Sequence, residues 1–178
     1  MKQLVMYWKN DGLDAVMPKM PNGLELYRYS ELQNATEDWT SIVRYGSMLP
    51  ETLDPKVDYY LDSMQGFPYY SDDWCYIIKV GGVAAATVTV VCNPDTRCGL
   101  IHMVACKPEF RGLGLGHLMC DVAVWALKNM GMKDAVLRTD DWRIPAIKTY
   151  LKASFVPDLE SEPDFKERWD KIFETIKK

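Results

Sequence analysis

Apolar residues recur along this chain in two rhythms, and the change from one to the other marks the elements. A period of two, as in a half-buried strand, runs through Leu24-Glu25-Leu26-Tyr27-Arg28-Tyr29. A shorter strand is expected over residues 3 to 9, with a loop from Asp11 to Gly23 between them. Two helices follow. Asn34 and Glu37 form a capping pair ahead of the stripe Trp39, Ile42, Val43 and Gly46. Asp54-Pro55 reads as a second start, with Val57, Tyr60, Leu61 and Met64 on one face until Gly66. Cys75 to Val80 and Val83 to Val91 read as strands joined by Gly81-Gly82, a hairpin signal because both glycines accept positive φ. Gly99 to Cys106 is a further strand. Leu115, Leu118, Met119, Val122, Trp125, Ala126 and Met130 then recur at helical spacing up to Gly131. Ala135-Val136-Leu137 reads as a short strand, Ile144, Ile147 and Leu151 as a helix with Pro145 in its first turn, and Phe155-Val156 as a last strand. Phe165, Trp169, Ile172, Phe173 and Ile176 predict a C-terminal helix.

This order predicts an α/β fold with a mixed sheet flanked by helices. At 178 residues the chain has the length of one domain. It divides into an N-terminal extension (1–23), a core (24–156) and an extra C-terminal helix (157–178).

Composition narrows the function classes. A net charge of −4 without a basic block longer than Lys177-Lys178 argues against a nucleic-acid partner, and its weakly acidic balance suits an amine-bearing substrate. The five cysteines lack Cys-x-x-Cys spacing and lie in apolar surroundings, so they read as reduced thiols in a cytoplasmic protein. Neither a signal peptide nor a membrane span is expected.

The candidate chemistry centres on Arg111-Gly112-Leu113-Gly114-Leu115-Gly116. A strand leading through a glycine-rich turn into a helix makes an anion site, because first-turn amides have no intrahelical partner and the helix dipole favours negative charge there. The loop lies too far along the chain to open a Rossmann unit, and it lacks the Lys-Ser/Thr pair of a Walker loop. A pyrophosphate fits it; a dinucleotide or nucleoside triphosphate does not.

The run from Val104 to Gly116, with Pro108, Arg111, Gly112, Gly114 and Gly116 in place, resembles the central motif of the GNAT acetyltransferases. Ala146-Ile147-Lys148-Thr149-Tyr150-Leu151-Lys152-Ala153-Ser154-Phe155 is similar to that family's helix-to-strand segment. The resemblance spans residues 24 to about 156. It implies an acyl-CoA N-acyltransferase fold and acetyl-CoA-dependent direct transfer to an amine in a ternary complex, with no metal. It departs from the family at Arg143, where asparagine is frequent, at Ser154, where glycine is, and after Pro157, where many relatives return with a last long strand.

By the same resemblance, the amides from Arg111 to Gly116, joined by His117, hold the pyrophosphate. The main chain of Val104, Ala105 and Cys106 pairs with the pantetheine arm, and Arg143 bears on how that arm is held. Tyr150 becomes the general acid for the departing thiolate. His102 is the candidate base: regular strand geometry puts it on the face of Val104 and Cys106, and its imidazole has an ordinary pKa suited to taking a proton from an amine. Cys106 lacks a partner to make it a thiolate nucleophile. Asp140 and Asp141 fall where relatives contact substrate, although a solvated turn with a helix cap is the favoured reading. Tyr59, Tyr60, Phe67, Tyr69 and Tyr70 are candidates to roof the acceptor site. The apolar stripe of the C-terminal helix offers a homodimer contact if the sheet does not use it. A catalytically silent acetyl-CoA-binding module is the alternative from another class.

Overall fold

A computed structural model describes residues 2–46 and 48–177. Seven strands form one mixed sheet: β1 (Leu4–Lys9), β2 (Leu24–Arg28), β3 (Cys75–Val80), β4 (Val83–Asn93), β5 (Cys98–Cys106), β6 (Asp134–Thr139) and β7 (Val156–Pro157). Their order is β2-β3-β4-β5-β6-β1-β7, and only β5 and β6 pair in parallel. The helices are α1 (Ala35–Val43), α2 (Tyr59–Met64), α3 (Leu115–Asn129), α4 (Ile144–Lys152) and α5 (Phe165–Lys177). Lys178, at the end of the expected C-terminal helix, and Met1 lie outside the described residues.

Alternation along β3 shows how the sheet is covered. Cys75 and Ile77 join one apolar cluster with Trp39, Ile42 and Val43 of α1 and Tyr60 and Met64 of α2. Tyr76 and Ile78 join the other, with Met119, Val122 and Ala126 of α3, Ile147 of α4, and Phe165, Trp169 and Ile172 of α5. The Gly81-Gly82 hairpin forms as expected, with φ of 55° and 81°. α3 stops at Gly131, whose φ is 69°.

Four expectations need correction. Residues 4–9 are not an extension outside the core: β1 lies between β6 and β7, antiparallel to both, with Leu4 and Met6 fully buried. β1 closes the sheet against β7, and the residues after Pro157 form the expected helix, α5. That helix packs Phe165, Trp169 and Ile172 into the chain's own core, so its stripe is not left exposed for a homodimer contact. α2 begins at Tyr59 rather than after Asp54-Pro55. Asp58 caps it by accepting from the Leu61 amide at 3.0 Å, while the Asp54 side chain accepts from Lys56 N in a local turn. Asn34 is the N-cap of α1, but its side chain makes no capping bond.

Candidate active site

β5 and β6 pair only from Cys98 to Ile101 opposite Asp134 to Leu137. Beyond Ile101, among the described residues, no strand pairs with the β6-facing edge of β5, although its other edge stays bonded to β4. The two parallel strands therefore part like a wedge, and a cavity of about 400 Å³ opens between them. His102, Met103, Val104, Thr139, Asp140, Arg143 and Tyr150 are among the residues that line it, together with Gln3, Met48, Phe67 and Arg138. A groove of about 650 Å³ beside Trp8, Trp125 and Lys128 brings together none of the expected site residues.

The cause of the wedge is a bulge in β5. Thr87 faces Ala105 and Thr89 faces His102, so one residue of β4 stands opposite two of β5. Met103 absorbs the extra length at φ 54°, a left-handed conformation costing a non-glycine residue about 1–3 kcal/mol. The bulge also reverses the side-chain alternation. Val104 and Cys106 pack toward the α3 cluster, whereas Met103 and Ala105 pack toward the α1–α2 cluster. His102 therefore does not share a face with Val104 and Cys106, as an unbroken strand would require. It turns instead toward α2, where its ring meets Phe67 at 4.7 Å and Nε2 donates to the Ser63 carbonyl oxygen at 3.1 Å.

That bond decides which nitrogen is available. In the neutral ring, Nε2 carries the hydrogen and Nδ1 keeps a lone pair. Burial lowers the His102 pKa below its ordinary 6.5, against a smaller opposing effect of the Ser63 bond, so the neutral form prevails at pH 7. Across the cavity Tyr150 is 6% exposed, and burial, with a smaller contribution from Cys120, raises its pKa above the ordinary phenol value. The Arg143 guanidinium opposes that rise. Tyr150 thus holds its proton at neutral pH with a cation near enough to favour releasing it.

Arg143 is the N-cap residue of α4, and Pro145 lies in that helix's first turn as expected. Its Nε donates to Asp140 Oδ2 at 2.8 Å, and its guanidinium lies 4.4 Å from the centre of the Trp142 ring. Asp140 also accepts from Gln3 Nε2 at 3.2 Å, which ties the cavity rim to the start of β1. Asp140 and Asp141 open the expected turn, but both partly exposed carboxylates are held in ion pairs. Asp141 takes a two-pronged contact from Arg168 of α5, which lowers its pKa.

The glycine-rich loop connects β5 to α3. Gly112 and Gly114 have φ of 82° and 78°, and Gly114 is the N-cap of α3. Among the described residues, no protein acceptor meets the amides of Gly112 to His117, while Leu118 N already bonds to Gly114 O at 3.1 Å. Leu113 and His117 are exposed; Leu115 is buried and anchors the turn in the core. A run of unpartnered amides at a helix N-terminus, unobstructed by Cβ atoms at its glycines, fits a pyrophosphate. Burial raises the Cys106 thiol pKa, consistent with its exclusion as a nucleophile.

Residues 42–155 match the family model for the acetyltransferase (GNAT) family. The chain belongs to the GNAT acetyltransferases. A curated mycothiol acetyltransferase from Streptomyces bingchenggensis is 24% identical over 95 residues, covering 53% of this chain and 31% of that protein. The chain thus matches less than a third of this relative's length. Among solved structures, a GCN5-related N-acetyltransferase from Sphaerobacter thermophilus superposes with a TM-score of 0.66 at 15% identity, covering 89% of this chain and 50% of the other. Another, from Kribbella flavida, gives a TM-score of 0.56 at 18% identity, covering 88% and 55%. These likenesses establish the GNAT fold. No helix among the described residues is long and apolar enough to cross a membrane.

Of the aromatic residues expected to roof the acceptor site, only Phe67 reaches the cavity. Tyr60 stacks on Tyr29 at 3.7 Å and donates to Asp72, Tyr59 accepts from Asp54 N, Tyr69 donates to Asp95, and Tyr70 packs against the α1–α2 cluster. Gln3, Met48 and Arg138 were not read as site residues in the sequence. For Arg138 there was a signal: a charged side chain directly after the apolar run Ala135-Val136-Leu137.

Proposed function

We propose that this GNAT chain transfers an acetyl group from acetyl-CoA directly to an amine in a ternary complex. The observation that carries the reading is the meeting of His102 and Tyr150, opposite in proton-transfer character, in the cavity opened by the β5 bulge. Acetyl-CoA supplies the acyl group as a thioester. The amides of Gly112 to His117 hold its pyrophosphate, and the unpaired edge of Val104, Ala105 and Cys106 bonds its pantetheine arm. That edge contributes main chain, so its side chains remain free to serve the core.

His102 Nδ1 accepts a proton from the acceptor amine, directly or through water, because the Ser63 bond occupies Nε2. As the nitrogen–acyl bond forms and the carbon–sulfur bond breaks, Tyr150 donates its hydroxyl proton to the departing sulfur. Arg143 stabilises the phenolate left behind, and Asp140 holds Arg143 in place. Solvent returns the proton to Tyr150 and takes the one on His102.

Mass-spectrometric detection of acetylated amine, paired with release of free CoA, tests this reading with Tyr150→Phe as the control. Binding of acetyl-CoA without acetyl transfer to any amine would instead mark a catalytically silent binding module.

A further inference from the structure

The charges around the cavity are unequal, and their pairing determines what an acceptor meets. Asp140 is the carboxylate among the lining residues, and its two oxygens are engaged by Gln3 at 3.2 Å and Arg143 at 2.8 Å. His102, half-buried and bonded to Ser63, favours its neutral form. Arg138 is different: among the described residues its side chain has neither an ion pair nor a hydrogen-bond partner, although it lines the cavity. Leu137 and Thr139 on either side of it are buried. Strand alternation therefore places Arg138 on the opposite, exposed face of β6, and Arg138 and Asp140 both line the cavity.

The lining therefore keeps one uncompensated positive charge within a chain of net charge −4. A cationic acceptor finds no free carboxylate there, whereas an anionic group finds a guanidinium whose planar fork can make two parallel hydrogen bonds. Phe67 supplies apolar wall to the same cavity. Building on the transferase reading above, we infer that the acceptor amine also carries an anionic group and that Arg138 holds it, setting acceptor specificity. A carboxylate, as in an apolar amino acid, and a phosphate monoester share the required chemistry.

The test uses matched acceptors in the CoA-release assay at low salt: leucine against leucinamide and isoamylamine, and phosphoethanolamine against ethanolamine. The expected result is kcat/KM about ten-fold or more higher for the anionic member of at least one set, on the scale of a charge-assisted hydrogen bond. Which set responds separates carboxylate from phosphate. Arg138→Gln should remove that preference by raising acceptor KM while leaving KM for acetyl-CoA unchanged, and Arg138→Glu should turn preference toward neutral or cationic amines. Equal or better use of the neutral partners by the wild-type protein overturns this inference alone. So does an Arg138→Gln effect that falls on acetyl-CoA or equally on all acceptors. Absence of transfer to every amine, with acetyl-CoA still bound, overturns the transferase reading and this inference together.

Discussion

Along the side of the cleft proposed for the acyl donor, residues 104 to 117 present main chain: a strand edge that β6 leaves unpaired and, among the described residues, a row of unpartnered amides. Along the side proposed for the acceptor, Gln3, Phe67, His102, Arg138 and Asp140 present side chains drawn from distant parts of the chain. Main-chain recognition tolerates side-chain variation but needs special φ values, so it leaves a compact glycine signature. Side-chain recognition has no such local signature, because its geometry depends on which strands become neighbours and where one of them bulges. Tyr150 belongs to both sides, since α4 carries it from beside the glycine loop into the cavity.

The comparison predicts different losses from the two sides. Tyr150→Phe should have the largest effect, lowering kcat by about 10²–10³-fold through loss of the general acid, with KM for acetyl-CoA nearly unchanged. Steady-state kinetics with a thermal melt as a folding control checks this; a kcat near wild type would remove Tyr150 from proton transfer. His102→Gln should lower kcat by about 10²-fold and remove the acid limb of the pH–rate profile, which in the wild type lies below pH 6.5 because burial lowers the imidazole pKa. An unchanged profile would exclude His102 as the base.

Gly114→Ala strikes the donor side. A left-handed conformation disfavours a side chain there by about 1–2 kcal/mol, so acetyl-CoA binding should weaken by about ten-fold, with a lower melting temperature and little change in acceptor KM. A larger effect on acceptor KM would show that the two sides are not separable in this way.

The smallest predicted effect concerns stability. With its folded pKa depressed, His102 resists a proton that the unfolded chain accepts. Its contribution to stability is therefore present above pH 6.5 and declines as pH falls through the unfolded pKa toward the folded one. Urea midpoints measured from pH 7 to pH 5 should fall more for the wild type than for His102→Gln. Parallel curves would place the imidazole in an environment no different from water.

Legibility in the sequence followed the same divide. The hairpin at Gly81-Gly82, α3 up to Gly131, α4 with Pro145 and the glycine loop were readable because local φ preferences and helical spacing specify them. The place of β1 between β6 and β7 was not readable, since a short apolar run does not state its partners. Nor was the start of α2: the Asp54 side chain closes a local turn instead, and the helix starts later, capped by Asp58. The β5 bulge was the most consequential omission, because Met103 gives no hint of a left-handed φ.

From the sequence alone came the strand–glycine loop–helix unit and the tyrosine-bearing helix, and with them the resemblance to a family that transfers acetyl groups. Their determinants are local: a positive φ, a run of free amides, an apolar stripe at helical spacing. Tertiary structure decided that His102 faces Ser63 and Phe67, that Arg138 meets no counter-charge among the described residues, and that both share a cavity with Tyr150. Those facts depend on one extra residue in β5 and on strand neighbours separated by much of the chain. A one-residue shift exchanges the faces of everything beyond it, and no local preference in the sequence records that shift.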